Sequence, residues 1–281
     1  MLDYDIRTPD SARHFLSEII SESANPRYEL CDFLYQLNNF DVFWESNINK
    51  INSIHMEGIR FFATHITTNP NNCYDIKHNG IQNLQKVLSS SSSSFAQLLK
   101  NYCISFDLEN YVLRYKNTQI DINPNRFTSL DGLSACEELI WRISDRIYID
   151  YSINGFMFCE DPCNYGSRIH RRPEILMYLT QLFPYLRNAE LHWENTSTCY
   201  EVSFFAYIKQ ICPSTFYSDD DDPPYDWEDW YELSPDQRIK KILLRQAVEV
   251  ALCETQRNMV LYIKPGIDVP PEQITSITKL P

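Results

Sequence analysis

RFFATHITTNPNNCYDIKHNGIQNLQKVL, residues 60–88, is the stretch of sequence that decides the fold. Its apolar residues at 61–66 predict a short strand. The Asn-Pro-Asn-Asn run at 69–72 predicts a turn, because asparagine side chains bond their own backbone and proline presets φ. Residues 73–79 predict a short helix, and Gly80 supplies the left-handed residue that commonly ends a helix. The stretch therefore predicts a strand, a polar turn and a helix in immediate succession.

His65 lies at the end of the predicted strand, and Thr67 follows two positions later. Ile76, Gly80 and Ile81 then form an I-x-x-x-G-I step at the end of the predicted helix. In this order the residues resemble the opening of ADP-ribosyltransferases, most of all the bacterial DNA-targeting toxins and the tRNA 2′-phosphotransferase relatives. The resemblance is local and covers only this stretch well.

The resemblance implies an enzyme that uses NAD as a substrate. In ADP-ribosyl transfer the nicotinamide leaves and the ribose C1′ gains oxocarbenium character, so oriented charge in a dry cleft contributes most. The family implies a His on the first strand that binds ribose hydroxyls, often a Tyr in the middle, and a Glu on a later strand. We therefore expect His65, Tyr165 and Glu201 as catalytic residues, with Phe156 and Phe158 as alternatives to the tyrosine.

The same resemblance assigns NAD binding to His65, Thr67, Phe158, Arg168 and Arg172. The two arginines belong to the strongly basic segment 168–172, and a guanidinium offers forked bonds to pyrophosphate oxygens. Each assignment has a structural alternative. The histidine suits a core position bonded to a backbone carbonyl, the Tyr165-Gly turn suits surface packing, and the arginines suit a solvated loop before a helix.

Glu201 opens the apolar segment YEVSFFAYI, which resembles the Glu-led strand of the family. The closing segment at 258–277 resembles the last strand of the family even more, yet Asn258 or Arg257 stands where its Glu is expected. The nearest acid there is Glu254. Either Glu201 is the catalytic acid, or the acid is lost and the fold binds without catalysing.

Charge, hydropathy and cysteine content limit the classes of protein to which the chain can belong. The 281 residues carry a net charge of −13, which disfavours a nucleic-acid target because proteins that neutralise phosphates are usually basic. No apolar run is long enough to span a membrane, and the polar N-terminus lacks a signal peptide. Nine scattered cysteines then predict reduced thiols in a cytoplasm. Cys159, Cys163 and His170 are an alternative zinc set that lacks a fourth ligand.

The pattern along the chain predicts an α+β fold with an ADP-ribosyltransferase-like mixed or antiparallel sheet core, helices and an N-terminal helical addition. We expect a helical cap at 1–55 and the α+β domain at 56–281. Helices are predicted at 8–22, 25–37, 73–79, 95–102, 135–149, after Pro173 and at 234–254; strands are predicted at 61–66, 111–115, 119–122, 156–159, 200–208 and 259–263. Residues 40–55 are predicted to be irregular, with Phe40, Val42, Phe43 and Trp44 buried. Residues 264–281 are predicted to form a tail.

Two low-complexity segments stand apart from these elements. Ser89–Ser94 is a flexible linker, a phosphorylation cluster or a surface loop leading to a helix cap, and the last is favoured. Residues 217–232, YSDDDDPPYDWEDWYE, are a solvated acidic loop, a protein-binding loop, a nucleic-acid mimic or a flap over a basic cleft.

Two main hypotheses of function follow. The first is a cytoplasmic mono-ADP-ribosyltransferase, a toxin or phage-defence effector, that transfers ADP-ribose from NAD to an unknown protein or nucleic-acid acceptor. The second is a non-catalytic interaction protein on a degenerate transferase fold, with a partner at the acidic 217–232 loop. A third hypothesis, 2′-phosphotransferase-like activity on RNA, has only the one basic cluster in its favour.

Overall fold

The computed structural model describes residues 1–20, 40–127, 129, 131–162, 168–217, 225, 227, 229–253 and 257–280. The strands are β1 (Leu2–Tyr4), β2 (Ile59–Asn69), β3 (Ile104–Asp107), β4 (Val112–Tyr115), β5 (Thr118–Asp121), β6 (Asn154–Phe158), β7 (Thr198–Tyr207), β8 (Met259–Tyr262) and β9 (Ile274–Lys279). The helices are α1 (Pro9–Ile20), α2 (Phe40–Ser53), α3 (Tyr74–Asn79), α4 (Leu84–Ser89), α5 (Ser94–Asn101), α6 (Ala135–Tyr148), α7 (Glu174–Leu182), α8 (Arg187–Thr196) and α9 (Pro235–Ala251). None of the helices in these ranges is long and apolar enough to cross a membrane.

Two sheets organise the strands. The larger sheet has the order β8-β6-β2-β7-β9, and β1 pairs with β2 in parallel. Strand β6 is antiparallel to both β2 and β8. The smaller sheet is the antiparallel set β3-β4-β5. The α+β class with a mixed sheet is thereby confirmed.

The chain divides into two compact units, each made of three segments. The first unit contains Met1–Thr64, Asn154–Glu160 and Phe204–Ile263, and the second contains His65–Ile153, Asp161–Ser203 and Lys264–Pro281. Residues 1–55, for which the sequence predicts a separate cap, lie in the first unit together with strands from later in the chain.

The first unit packs aromatic side chains against the strands. Tyr4 is fully buried, and its ring contacts Phe15 edge-on and Phe61 at a tilt. Gly155 of β6 has no room for a side chain, since an added Cβ would lie 2.7 Å from the ring of Phe204. A glycine here lets neighbouring groups approach closely.

The described part of the acidic segment 217–232 contributes to the core of the first unit. Trp227 and Trp230 are buried. Lys241 of α9 is almost fully buried, donates to Asp229 Oδ1 at 2.6 Å and lies over the rings of Trp44 and Trp227. The tryptophans of this segment are therefore core residues. The four consecutive acids, 219–222, lie outside the described residues.

The second unit has its own apolar core between the smaller sheet and the helices. Its buried members include Leu99 of α5, Leu113 of β4, Ile143 of α6, Leu179 of α7 and Trp193 of α8. Helix α6 begins with the expected capping box, because Ser134 and Glu137 bond each other's backbone in both directions.

Most local expectations are confirmed. Three are wrong: the irregular segment at 40–55, the burial of Val42 and the tail at 264–281. Residues 40–53 form α2, because Phe40, Phe43, Trp44, Asn47 and Ile51 recur at helical spacing and are buried; Val42 points away and is exposed. The predicted tail contains β9, and α8 was not expected between 187 and 196. The predicted helix at 25–37 lies outside the described residues.

Candidate functional site

The turn after β2 is built as its asparagines predict. Asn69 Oδ1 accepts from the backbone N–H groups of Asn71 and Cys73, both at 2.9 Å. Asn72 and Cys73 adopt positive φ angles of 58° and 57°. These bonds satisfy backbone donors that the turn leaves unpaired, and they fix the start of α3 close to the end of β2.

Gly80 ends α3 and joins it to a distant part of the second unit. Its φ is +77°, and its N–H donates to Ile76 O at 2.9 Å. An added Cβ would lie only 2.0 Å from the carbonyl oxygen of Val269. Ile81 and Val269 exchange two backbone hydrogen bonds, at 2.9 and 3.0 Å. Only glycine permits both this backbone conformation and this close approach.

Two neighbouring cavities lie in the second unit. The first, of about 180 Å³, we name the serine cavity after Ser90 and Ser92–Ser94 in its lining. The second, of about 250 Å³, we name the arginine cavity after Arg146 and Arg172. The two share the wall residues His65, Thr67, Thr68, Gln82, Leu84, Val87 and Pro173. The end of β2 therefore faces both cavities.

Hydroxyl, amide and aromatic groups line the serine cavity. Asn79, Gln82 and Trp193 contribute amides and an indole to its wall. The Trp193 indole N–H donates to Thr68 Oγ1 at 2.8 Å, which holds the ring in place. Leu84, Val87 and Phe95 add apolar surface beside these polar groups. Among the described lining residues, Asp75 is the one carboxylate.

Charged groups line the arginine cavity. Arg146 forms an ion pair with Asp150 and another with Glu174, the latter at 2.6 Å. Tyr178 also donates to Glu174, at 2.7 Å. Burial raises the pKa of Asp150, and the Glu174 charge raises it further although Arg146 opposes both effects. Carboxylates and guanidinium groups thus lie together beside His65.

Arg172, expected to bind NAD, lies in the wall of the arginine cavity and is buried. It forms an ion pair with Glu190, which is 2% exposed. Arg187 also pairs with Glu190 from a more exposed position, and Thr180 lies beside the same carboxylate. The arginine is therefore held in place by a buried carboxylate.

The other predicted residues are distributed as follows. His65 and Thr67 are brought together at both cavities. Arg168 is exposed, with a φ of 55°, and lines neither cavity. Phe158 is half-buried in β6 of the first unit. Tyr165 lies outside the described residues, as do the alternative acid Glu254 and the alternative zinc ligand Cys163.

Glu201 is half-buried on β7 and lines neither cavity. Because side chains alternate across a strand, it shares a face of β7 with Ser203 and Phe205. The Phe205 ring contacts Phe62 of β2, with centroids 5.9 Å apart. By the same alternation along β2, His65 points to the face opposite Phe62. The structure therefore does not bring Glu201 to His65.

Several lining residues were not expected from the sequence. Arg146 and Glu174 look like ordinary surface positions of α6 and α7, since charged residues at helix ends are common. Gln82 lies between elements and has no motif. The serine run was the one signal available, and Ser93 caps α5 as expected by accepting from Ala96 N.

Comparison of the chain with protein-family models, curated proteins and solved structures gives no significant match. Within the ranges that the structure describes, no group of three or more His, Cys, Asp or Glu side chains is arranged to hold a metal ion.

Proposed function

We propose that this chain is an NAD-using, mono-ADP-ribosyltransferase-like protein of the cytoplasm, with its dinucleotide site at the two cavities of the second unit. The observation that carries the proposal is that His65 and Thr67, in the C-terminal half of β2, line both cavities. Ligand sites are typically concave, with a few convergent polar groups, as here.

The chemistry assigned to the site is substitution at the ribose C1′ of NAD. The C1′–N bond breaks, nicotinamide departs with the bonding electron pair, and an acceptor nucleophile forms the new bond to C1′. His65 bonds ribose hydroxyls in this proposal. Carboxylates stabilise the cationic ribose, and pre-oriented charge is most effective where water is excluded.

Glu201 is the carboxylate that the resemblance implies, but it lines neither cavity, which favours a second candidate acid. Asp150 and Glu174 lie in the lining that contains His65. The position of Glu201 also supports a second function, that of a non-catalytic interaction protein on a degenerate transferase fold, which binds NAD without cleaving it and a partner at the acidic 217–232 loop. The acceptor, protein or nucleic acid, is not part of the proposal.

The test measures nicotinamide release from NAD by the whole chain, together with NAD binding by calorimetry. The variants are His65→Ala, Glu201→Gln and Glu174→Gln, and His192→Ala on the exposed side of α8 is the matched control. The transferase proposal expects release that is lost in His65→Ala and retained in the control. Loss of nicotinamide release in Glu174→Gln but not in Glu201→Gln would identify Glu174, in the arginine cavity, as the carboxylate that stabilises the ribose cation.

Binding without release in every variant would favour the non-catalytic function. Neither binding nor release by the wild-type chain would overturn the proposal. Because the acceptor is unknown, release is measured as hydrolysis, in which water takes the place of the acceptor.

A further inference from the structure

Among the residues that the structure describes, the lining of the serine cavity contains no lysine or arginine. Its carboxylate, Asp75, already accepts from Ser94 N at 3.3 Å, Ser94 Oγ at 3.2 Å and Asn71 Nδ2 at 3.3 Å. An anionic ligand group would lose its hydration there without gaining the charge of a lysine or arginine, and the carboxylate already has three donors. The cavity is therefore suited to an uncharged ligand.

The cavity does contain polar groups that remain available to a ligand. Within the described part of the chain, the side chains of Thr67, Asn79 and Gln82 make no hydrogen bond. The hydroxyls of Ser90 and Ser92 bond only each other, at 2.9 Å. These hydroxyl and amide groups can each donate and accept, which matches the hydroxyls of a sugar and the ring nitrogens of a base.

An aromatic wall completes the cavity. Trp193 is 3% exposed, and its ring is fixed by the bond to Thr68 and by an edge contact with Phe95 at 5.5 Å. Buried aromatic side chains offer rigid apolar area at low entropic cost. A planar base with an attached sugar matches this combination of indole surface and neutral polar groups.

The arginine cavity has the complementary character. Arg146 has five N–H donors, more than its ion pairs with Asp150 and Glu174 occupy. Phosphate oxygens match such donors, and the cationic nicotinamide end of NAD matches the carboxylates of Asp150 and Glu174. Since the two cavities share the wall at His65, one dinucleotide can extend from one to the other.

We infer that the serine cavity is the subsite for an uncharged ribonucleoside, the adenosine half of the dinucleotide, with Ser90 and Ser92 as specificity-determining residues. The identity of the dinucleotide rests on the proposed function. The uncharged character of the ligand rests on the lining of the cavity alone.

The experiment titrates the whole chain with adenosine and with NAD by calorimetry. The test variant is Ser90→Ala with Ser92→Ala. The matched control is Ser89→Ala with Ser91→Ala, because these two serines belong to the same run but do not line the cavity. All four positions are at least partly exposed, so both variants are expected to fold. Circular dichroism confirms this before titration.

The test variant is expected to bind both ligands about 5- to 150-fold more weakly, since it loses two hydrogen bonds of the strength usual in proteins. The control variant is expected to bind both as the wild type does. Adenosine binding that is equal in wild type, test and control would overturn the inference, and so would a wild type that binds no adenosine.

The outcomes separate this inference from the proposed function. If adenosine binding depends on Ser90 and Ser92 but NAD is neither bound nor cleaved, the subsite stands and the NAD proposal falls. If NAD is cleaved equally by the test variant and the wild type, the NAD proposal stands and the subsite falls.

Discussion

Replacing Gly80 by alanine is expected to destabilise the protein far more than the same change at another left-handed glycine. Gly80, Gly132 and Gly266 have similar φ angles of 77°, 82° and 79°. An added Cβ meets nothing within 4 Å at the latter two positions, whereas at Gly80 it lies 2.0 Å from Val269 O. The three glycines thus share a positive φ, which disfavours alanine, and Gly80 differs from the other two in its packing.

The magnitude follows from two contributions. A left-handed alanine costs about 1–2 kcal/mol, partly offset by about 0.4–1 kcal/mol from the lower entropy of the unfolded chain. The control variants Gly132→Ala and Gly266→Ala are therefore expected to lose about 1 kcal/mol. Gly80→Ala adds an overpacking cost of about 1–3 kcal/mol, because the atom in the way belongs to the backbone and cannot rotate aside.

The assay is urea unfolding followed by tryptophan fluorescence, with the free energy of unfolding compared among the three variants. Gly80→Ala is expected to lose about 2–4 kcal/mol in total, with a fall in Tm of about 2–4 °C for each kcal/mol. A loss at Gly80 no greater than at the two controls would refute the close packing between the end of α3 and Val269.

Three further predictions concern single side chains. Glu190→Gln removes the buried carboxylate that pairs with Arg172 and is expected to cost about 3–5 kcal/mol in urea unfolding, whereas Glu194→Gln on the same helix should change stability by no more than about 0.5 kcal/mol. Burial raises the pKa of Cys73 to about 12, so mass spectrometry after iodoacetamide treatment at pH 8 should find it unmodified while exposed Cys103 is labelled; equal labelling would contradict its burial. Partial burial, and then neighbouring carboxylates, raise the pKa of Asp145, so its stabilising contribution is present at low pH and lost as pH rises through the folded-state pKa. Asp145→Asn should therefore stabilise the protein at pH 7 but not below pH of about 4, and a gain that persists at low pH would exclude a charge effect.

Local chemistry explains why some of the fold was predictable. The capping boxes at Ser134 and Ser234 each involve a side chain only three residues further along the chain. The starts of α6 and α9 can therefore be predicted from the sequence alone. The turn at Asn69 and the end of α3 at Gly80 are similarly local. Helix α2 was missed because its spaced aromatic residues were interpreted as isolated anchors.

The candidate site was predictable only where it coincides with a strand end. His65 and Thr67 were identified because they follow an apolar run and precede a turn. Gln82 and Arg146 were not, since their approach to the same cavity depends on how α4 and α6 pack in the second unit. The position of Glu201 likewise depends on the face of β7 to which it points, and the resemblance does not specify that face.

The division of the chain has a consequence for its synthesis. The chain passes between the two units five times, and the last passage comes after Ile263. Val269, against which Gly80 packs, belongs to that final segment. While a ribosome is still elongating the chain, α3 has no such contact, and neither unit is complete until the segments after residue 200 have emerged. The contact between Gly80 and Val269 therefore forms only after residue 269 has emerged, and no continuous fragment contains one whole unit without part of the other.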